Sequence, residues 1–194
     1  MNGTPGWVKY PAVSSAMRGG SAVMYRPGKV MKCGSRDTDG PFQNAVGTTQ
    51  HVDLNSLAAG YWRNSSNTMA PRVNHNLVLL PNGKVMAIGG TSYINNPADD
   101  TAERRPEIWD PDCNNGEGCW EGLGTLAQHA VKRDYHSTAL LLPDARILIG
   151  GGNAYREMGI KNRIEIFCPP YLLNASGSLK TRPAIGWAPR VVRY

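Results

Sequence analysis

The residues with the most chemical potential are Tyr135 and His136, which stand side by side in residues 133–138 (RDYHST). This stretch runs directly into an apolar segment that ends in glycine at positions 150–152. A phenolate oxygen and a neutral imidazole nitrogen are donors that suit a transition metal. The pair is therefore a candidate metal-ligand pair. The ordinary alternative is structural: the tyrosine packs, and the histidine forms hydrogen bonds at a turn.

The candidate pair stands at the head of a hairpin pattern that occurs three times in the chain. Each copy has an apolar strand, a turn built on Pro with Gly, Asn or Asp, a basic residue, a second apolar strand and then glycine. Aligned on Lys29, Lys84 and Arg146, the copies are 55 and 62 residues apart. In the second copy Asn82-Gly83 is a strong hairpin signal.

Further strands are predicted after each hairpin. They cover residues 50–54 and 61–63 after the first, 106–111 and 119–120 after the second, and 163–167 after the third. Units of about four strands at this spacing are typical of propeller blades, whose faces are covered by their neighbours in a ring. The predicted fold is therefore all-β, with about three four-stranded blades of a β-propeller. Because propellers need roughly four to eight blades, the chain is expected to be a fragment that lacks the leading blades.

The domain boundaries follow from a change of composition near the C-terminus. We predict propeller blades over residues 1–173, a linker rich in small polar residues over 174–183, and the first strand of a truncated second domain over 184–194.

The charge pattern does not favour a nucleic-acid partner. The net charge is +6, but the Lys and Arg residues are scattered, and no basic run is interleaved with aromatic residues. No apolar run reaches 18 residues, so we expect no membrane span. The start of the chain is not typical of a signal peptide. Sequons at Asn2, Asn64 and Asn174 are compatible with a secreted protein.

The four cysteines have different expected roles. Cys113 and Cys119 bracket a short flexible loop that suits a disulfide, although two free thiols remain an alternative. Cys33 and Cys168 lie in apolar segments and are expected to be small buried hydrophobic residues. The absence of CxxC spacing argues against a zinc site built on thiolates.

Taken together, several stretches resemble one family. Residues 133–151, 163–172 and 181–183 resemble the final blade and domain junction of the galactose oxidase and glyoxal oxidase family, the copper-radical oxidases. Residues 16–25 and 71–75 resemble its preceding blades, and the glycine-ended hairpins resemble kelch repeats. The resemblance implies a kelch-like propeller that enters a C-terminal β-sandwich of the immunoglobulin-like (early set) type, secreted or extracellular, and monomeric.

The resemblance also implies the roles of the candidate pair. Tyr135 would be the axial copper ligand and the base that takes the proton of a bound alcohol, and His136 would be one of two imidazole ligands. In the family a second tyrosine, cross-linked to a cysteine, holds the radical that removes a carbon-bound hydrogen. Oxygen then leaves as hydrogen peroxide. The substrate would be a small-molecule alcohol, aldehyde or carbohydrate. The loops at 35–38 and 91–97 do not match galactose oxidase, so a sugar substrate does not follow.

Half of the family's ligand set has no counterpart in this chain. The cross-linked tyrosine and cysteine belong to earlier blades, and the second histidine belongs to the C-terminal domain. The remaining histidines, His51, His75 and His129, match no ligand position. We therefore expect this polypeptide alone to be inactive, whereas its parent oxidises a primary alcohol or aldehyde with O2.

The second repeat offers an internal comparison. His75 occupies the position of His136, with Asn74 in the place of Tyr135. A histidine can thus stand at this position without the tyrosine, so Tyr135 carries more of the functional inference. The alternative function is a non-catalytic kelch propeller that binds a protein or glycan through its loops.

Overall fold

The computed structural model describes residues 6, 19–37, 43–56, 62–65, 69–94, 102–152 and 163–187. The predicted all-β fold is confirmed: the helical elements in that part of the chain are two short 3-10 turns, Asn114–Gly116 and Pro170–Leu172. None of its helices is long and apolar enough to cross a membrane. The sequon at Asn2 and most of the predicted final strand, residues 188–194, lie outside the described residues.

Twelve strands are described, and all the pairs they form are antiparallel. The first sheet has the order β1-β2-β3-β4, the second β5-β6-β8-β9 and the third β10-β11-β12, while β7 pairs with the start of β3. Their bounds are β1 Ser21–Arg26, β2 Lys29–Arg36, β3 Gln43–Asp53, β4 Arg63–Asn64, β5 Asn76–Leu79, β6 Val85–Ile88, β7 Tyr93–Ile94, β8 Glu107–Asp110, β9 Cys119–Glu121, β10 Ser137–Leu141, β11 Ile147–Gly151 and β12 Glu165–Phe167.

The three sheets stack as successive blades. The first strand of the second blade, β5, contacts both β1 and β10, so the first strands of the three blades lie side by side. Within the described residues the third blade has three strands, the hairpin and the strand predicted over 163–167. Pro169 and Pro170 follow β12, and proline cannot donate to a sheet ladder.

Alternate residues of β6 face different neighbouring blades, as the strand period of two requires. Val85 and Ala87 belong to the core between the first and second blades, and Met86 and Ile88 belong to the core between the second and third. All four are buried. The first core also contains Tyr25, Met31, Cys33, Met69, Trp109 and Trp120. The second also contains Val78, Leu80, Ile108, Ile147 and Ile149.

The three hairpin turns share one backbone feature. Gly28, Gly83 and Ala145 directly precede the aligned basic residues, and their φ values are 71°, 81° and 66°. In the second blade the N–H of Gly83 donates to the Leu80 carbonyl at 2.9 Å. That pattern fits a three-residue loop whose last residue is left-handed. The predicted hairpins are therefore present, and one of them has alanine where glycine is the natural choice.

The cysteines divide as the sequence suggested, with one exception. Cys113 and Cys119 form a disulfide with their Cα atoms 5.9 Å apart. Cys33 is fully buried in β2, as expected. Cys168 is only half-buried and follows the end of β12, so the expectation of a buried strand residue was wrong there.

Candidate functional site

The candidate pair occupies a turn that leads into β10. The backbone N–H of Ser137 donates to the Asp134 carbonyl at 2.9 Å and closes this turn around Tyr135 and His136. His136 adopts a φ of 64°, in the left-handed region. The N–H of Gly152 donates to the His136 carbonyl at 3.3 Å, so the turn is tied to the end of β11.

Gly151 allows this close approach of the two segments. Its φ is 68°, and a Cβ built there would lie 2.9 Å from the carbonyl oxygen of His136. Any side chain at position 151 would therefore push the turn away from β11. The glycine end of the hairpin thus has a specific part in shaping the site.

The two side chains of the pair lie against each other and face solvent. The ring centroids of Tyr135 and His136 are 3.8 Å apart, and the ring planes are inclined by 30°. Tyr135 is 53% exposed, and His136 is also exposed. Among the described residues, neither the phenol nor the imidazole has a hydrogen-bond partner. Both donor groups are therefore accessible to an external ligand or metal.

Beneath the turn lies Arg133, which is fully buried. Its Nη1 donates to the Gly151 carbonyl at 2.8 Å, and its Nη2 donates to the Arg163 carbonyl at 2.7 Å. Nη2 also reaches the carboxylate of Glu165 at 3.2 Å. The guanidinium therefore joins the segment before β10 to the end of β11 and the start of β12.

The carboxylate of Glu165 completes this frame. It accepts the backbone N–H of Ala130 at 2.5 Å and that of Val131 at 3.2 Å. Burial alone would raise the pKa of the Glu165 carboxyl, but these two N–H groups and the Arg133 guanidinium together hold that pKa below its usual value. The charged carboxylate thus fixes the path of the chain as it approaches the turn.

The second blade repeats the same frame at aligned positions. Arg72 is buried and forms an ion pair with Glu107, and its Nη1 donates to the Gly89 carbonyl at 3.3 Å. The Glu107 carboxylate accepts the backbone N–H of Ala70 at 3.1 Å. The frame is therefore a property of the repeat and is not special to the blade that carries Tyr135.

Two amide side chains of the second blade reach the turn of the third. Asn74 Nδ2 donates to Asp134 Oδ1 at 3.2 Å, and Asn76 Nδ2 donates to Ser137 Oγ at 2.9 Å. Sequence reasoning missed both contacts. The signal that could have found them is the aligned repeat, where the second blade has Asn on each side of its histidine.

His75 and His136 each directly precede the first strand of a blade in the sequence, but the strand pairing places His136 level with Asn74, so the expectation that His75 occupies the position of His136 was wrong. The two histidines also lie in opposite environments. His75 is only 4% exposed, and its Nε2 lies 3.3 Å from the Sγ of Cys33 in the first blade. Burial, assisted by the charge of Arg72, lowers the pKa of His75 to about 3. His75 is therefore a structural residue of the core, whereas exposed His136 does not share that role.

The other two histidines are also interior residues. His51 and His129 are each 8% exposed. The His129 ring bonds the Val131 carbonyl through Nδ1 at 2.6 Å. Burial lowers the pKa of both imidazoles, which favours their neutral forms. Neither lies beside the Tyr135–His136 turn in the sequence, and neither has the exposure of that pair.

The donors present fit copper as part of a ligand set. A phenol oxygen and an imidazole nitrogen, adjacent and accessible, match the ligand types of a tetragonal Cu(II) site. Within the described ranges, no group of three or more His, Cys, Asp or Glu residues could hold a metal ion. Tyr135 and His136 therefore fit as two members of a larger set.

Over most of its length the chain is similar to known oxidases. The chain is 28% identical to an aldehyde oxidase GLOX1 from Arabidopsis thaliana over 184 residues, covering 87% of this chain and 29% of that protein. It is 31% identical to a galactose oxidase from Gibberella zeae over 177 residues, covering 86% of this chain and 24% of that protein. The chain thus spans about a quarter to a third of the length of these relatives.

A solved structure shows the same fold. A fungal alcohol oxidase of the AA5 family, in complex with copper, superposes with a TM-score of 0.68 at 29% identity, covering 89% of this chain and 35% of that one. The sequence profile of the family described as "Glyoxal oxidase N-terminus" matches residues 11–171. The match includes Tyr135, His136 and all three blades, and so the chain belongs to the glyoxal oxidase N-terminus family.

Proposed function

We propose that this chain supplies two copper ligands, Tyr135 and His136, to a copper-radical oxidase that converts a primary alcohol or an aldehyde with O2. The observation that carries the proposal is the exposed, stacked phenol and imidazole in a turn tied to the end of β11. Membership of the glyoxal oxidase N-terminus family supports it. For an alcohol the balance is RCH2OH + O2 → RCHO + H2O2.

The roles of the two residues follow from their atoms. When bound, copper supplies a redox centre through which electrons pass from substrate to O2. The Tyr135 phenolate accepts the hydroxyl proton of the substrate at Oη, and proton transfer of this kind contributes about 10²–10⁴-fold to a rate. His136 binds the metal through one neutral imidazole nitrogen. Solvent exposure of both rings leaves room for a small substrate beside them.

The remaining parts of the centre are proposed to lie outside the described residues. They are a second histidine ligand and a tyrosine cross-linked to a cysteine, which would hold the radical. Substrates of the class are small-molecule alcohols, aldehydes or carbohydrates.

The domain organisation is part of the same proposal. Residues 1–173 form kelch-like blades, residues 174–183 a linker, and residues 184–194 the start of an immunoglobulin-like domain. Two observations support the end of the blades and the linker: the family match ends at residue 171, and residues 181–187 are exposed and outside any strand. The Cys113–Cys119 disulfide supports an extracellular location. We further propose a monomer with no nucleic-acid partner.

Peroxide production tests the proposal. The full-length, copper-loaded protein is offered primary alcohols and aldehydes, and H2O2 is measured. Production is expected in the wild type and loss of at least about 10²-fold in Tyr135→Phe. Tyr171→Phe is the matched control, because it removes a phenol that only donates to the Ala145 carbonyl. Full activity in Tyr135→Phe would contradict the role of Tyr135.

A further inference from the structure

We propose that Asn74 and Asn76 are positioning residues that hold the Tyr135–His136 turn from the neighbouring blade, so that its two donors bind metal together. This inference rests on the proposed function. The two asparagines flank the buried His75. The second blade therefore supports the site on the third blade through the residues on either side of its own histidine.

The two hydrogen bonds bracket the pair on both sides. Asn74 donates to Asp134, the residue directly before Tyr135, at 3.2 Å. Asn76 donates to Ser137, the residue directly after His136, at 2.9 Å. The short turn is thus held at both ends. The rings of Tyr135 and His136 between those ends have no hydrogen-bond partner in the described part of the chain.

Asn74 and Asn76 are themselves well fixed. Asn76 is the first residue of β5 and pairs with Ile88 across the hairpin. Asn74 adopts a φ of 60°, a region that asparagine tolerates better than most residues. Between them, His75 is anchored in the core against Cys33. The two asparagines therefore flank a residue that is held in the core.

Side chains that support metal ligands typically change metal affinity about 10- to 100-fold when removed. Asn74→Ala and Asn76→Ala are each expected to weaken Cu(II) binding by about tenfold in the full-length protein. The titration follows the tyrosinate-to-Cu(II) charge-transfer absorbance. A second readout needs no metal: hydrogen exchange of the segment 133–138 in the apoprotein is expected to be about tenfold faster in both variants.

The chain offers a matched control. Asn44 Nδ2 donates to Asp37 Oδ2 at 3.0 Å, so it makes the same type of bond as Asn74 but in the first blade. Asn44→Ala is expected to leave copper affinity and exchange at 133–138 unchanged. An equal effect of Asn44→Ala would overturn the proposal.

Replacement by aspartate separates positioning from a general loss of packing. A hydroxyl can donate as well as accept, so Asn76→Asp keeps a hydrogen bond with Ser137 in the reversed direction. Asn74→Asp places a carboxylate against that of Asp134 and loses the bond. The hydrogen-exchange rate of residues 133–138 should therefore stay near the wild-type rate in Asn76→Asp. In Asn74→Asp it should be faster than in Asn74→Ala. Faster exchange in Asn76→Asp than in Asn74→Asp would overturn the proposal.

The remaining outcomes are distinct. If the wild type takes up no copper, the proposed function fails, while faster local exchange in the alanine variants still supports positioning of the turn. If the wild type binds copper and the alanine variants bind it equally well, positioning for the metal is overturned. Faster exchange throughout the second and third blades would likewise overturn it, because the asparagines would then act on overall stability.

Discussion

The imidazole of His136 lies against the phenol of Tyr135, with ring centroids 3.8 Å apart, and both rings face solvent. The imidazole of His75, which also directly precedes a strand, is buried and contacts the thiol of Cys33. Histidines in similar sequence surroundings thus have different environments in the two blades. The difference comes from the neighbouring blade. His75 packs against Cys33 of the first blade. The turn that carries His136 is bonded by Asn74 and Asn76 of the second blade, and the imidazole itself faces solvent.

The two histidines should therefore give opposite results when replaced by asparagine. His136→Asn is expected to lower the copper affinity of the full-length protein and to change the free energy of unfolding by less than about 0.5 kcal/mol, because the side chain is exposed. His75→Asn leaves a cavity in the core and is expected to cost about 1–3 kcal/mol while copper binding is retained. Copper titration and urea unfolding measure the two effects. Loss of copper binding in His75→Asn alone would contradict the assignment.

Lowering the pH should reduce the free energy of unfolding, partly through protonation of His75. Burial lowers the pKa of His75 to about 3, whereas the imidazole in the unfolded chain has its ordinary value of 6.5. Between these two pH values the unfolded state binds the extra proton. The free energy of unfolding therefore falls as the pH is lowered from about 6.5 towards 3, by at most ~1.4 kcal/mol per pH unit from this group.

The variant His75→Gln isolates that contribution. Urea unfolding at several pH values between about 7 and 4 should show a smaller pH slope in the variant than in the wild type. His51 and His129 are present in both proteins, so their contributions cancel in the comparison. Identical slopes would mean that His75 titrates normally in the folded protein.

The two repeated ion pairs should differ in their effect on stability. The side chains of Arg72 and Glu107 are 0% and 3% exposed, whereas those of Arg133 and Glu165 are 0% and 24% exposed. Removing one partner of a buried pair costs about 3–5 kcal/mol, because the other charge is left unpaired. Glu107→Gln is expected in that range, and Glu165→Gln below it. Equal shifts in the urea midpoint would show that the greater exposure of Glu165 does not let water solvate the unpaired charge of Arg133.

One hairpin turn contains an avoidable strain. Ala145 has a φ of 66°, where the first two blades have glycine. A left-handed conformation costs a residue with a Cβ about 1–2 kcal/mol, and the greater freedom of glycine in the unfolded chain offsets part of that. Ala145→Gly is therefore expected to raise the free energy of unfolding by about 0.5–1 kcal/mol.

The reverse change at Gly83 is the control for this effect. Its φ is 81°, and a Cβ there meets nothing within 4 Å, so Gly83→Ala reports the backbone strain without a clash. A loss of similar size is expected, measured by urea unfolding. A stabilised Gly83→Ala variant would show that the left-handed turn carries no strain.

Much of the fold could be predicted because its signals are local. The strand and turn pattern around Asn82-Gly83 placed the second hairpin, and its repetition placed the other two. The loop between Cys113 and Cys119 is short enough to favour the disulfide that the structure contains. The strand predicted over 163–167 is present as β12, and Pro169 and Pro170 follow it.

The surroundings of the candidate site could not be predicted from local patterns. Arg133 and Glu165 are separated by 32 residues, and their contact appears only when the third blade folds. Asn76 and Ser137 are separated by 61 residues, and their contact appears only when two blades stack. Nor could the sequence tell buried His75 from exposed His136, because both directly precede a strand. The contact with Cys33 of the preceding blade decides that difference.

The most direct test of copper ligation is an anomalous difference map at the copper edge, from crystals of the copper-loaded full-length protein. Ligation by this chain predicts a peak within bonding distance of both Tyr135 Oη and an imidazole nitrogen of His136. A copper peak bound by other residues, with Tyr135 and His136 both unattached, would contradict it.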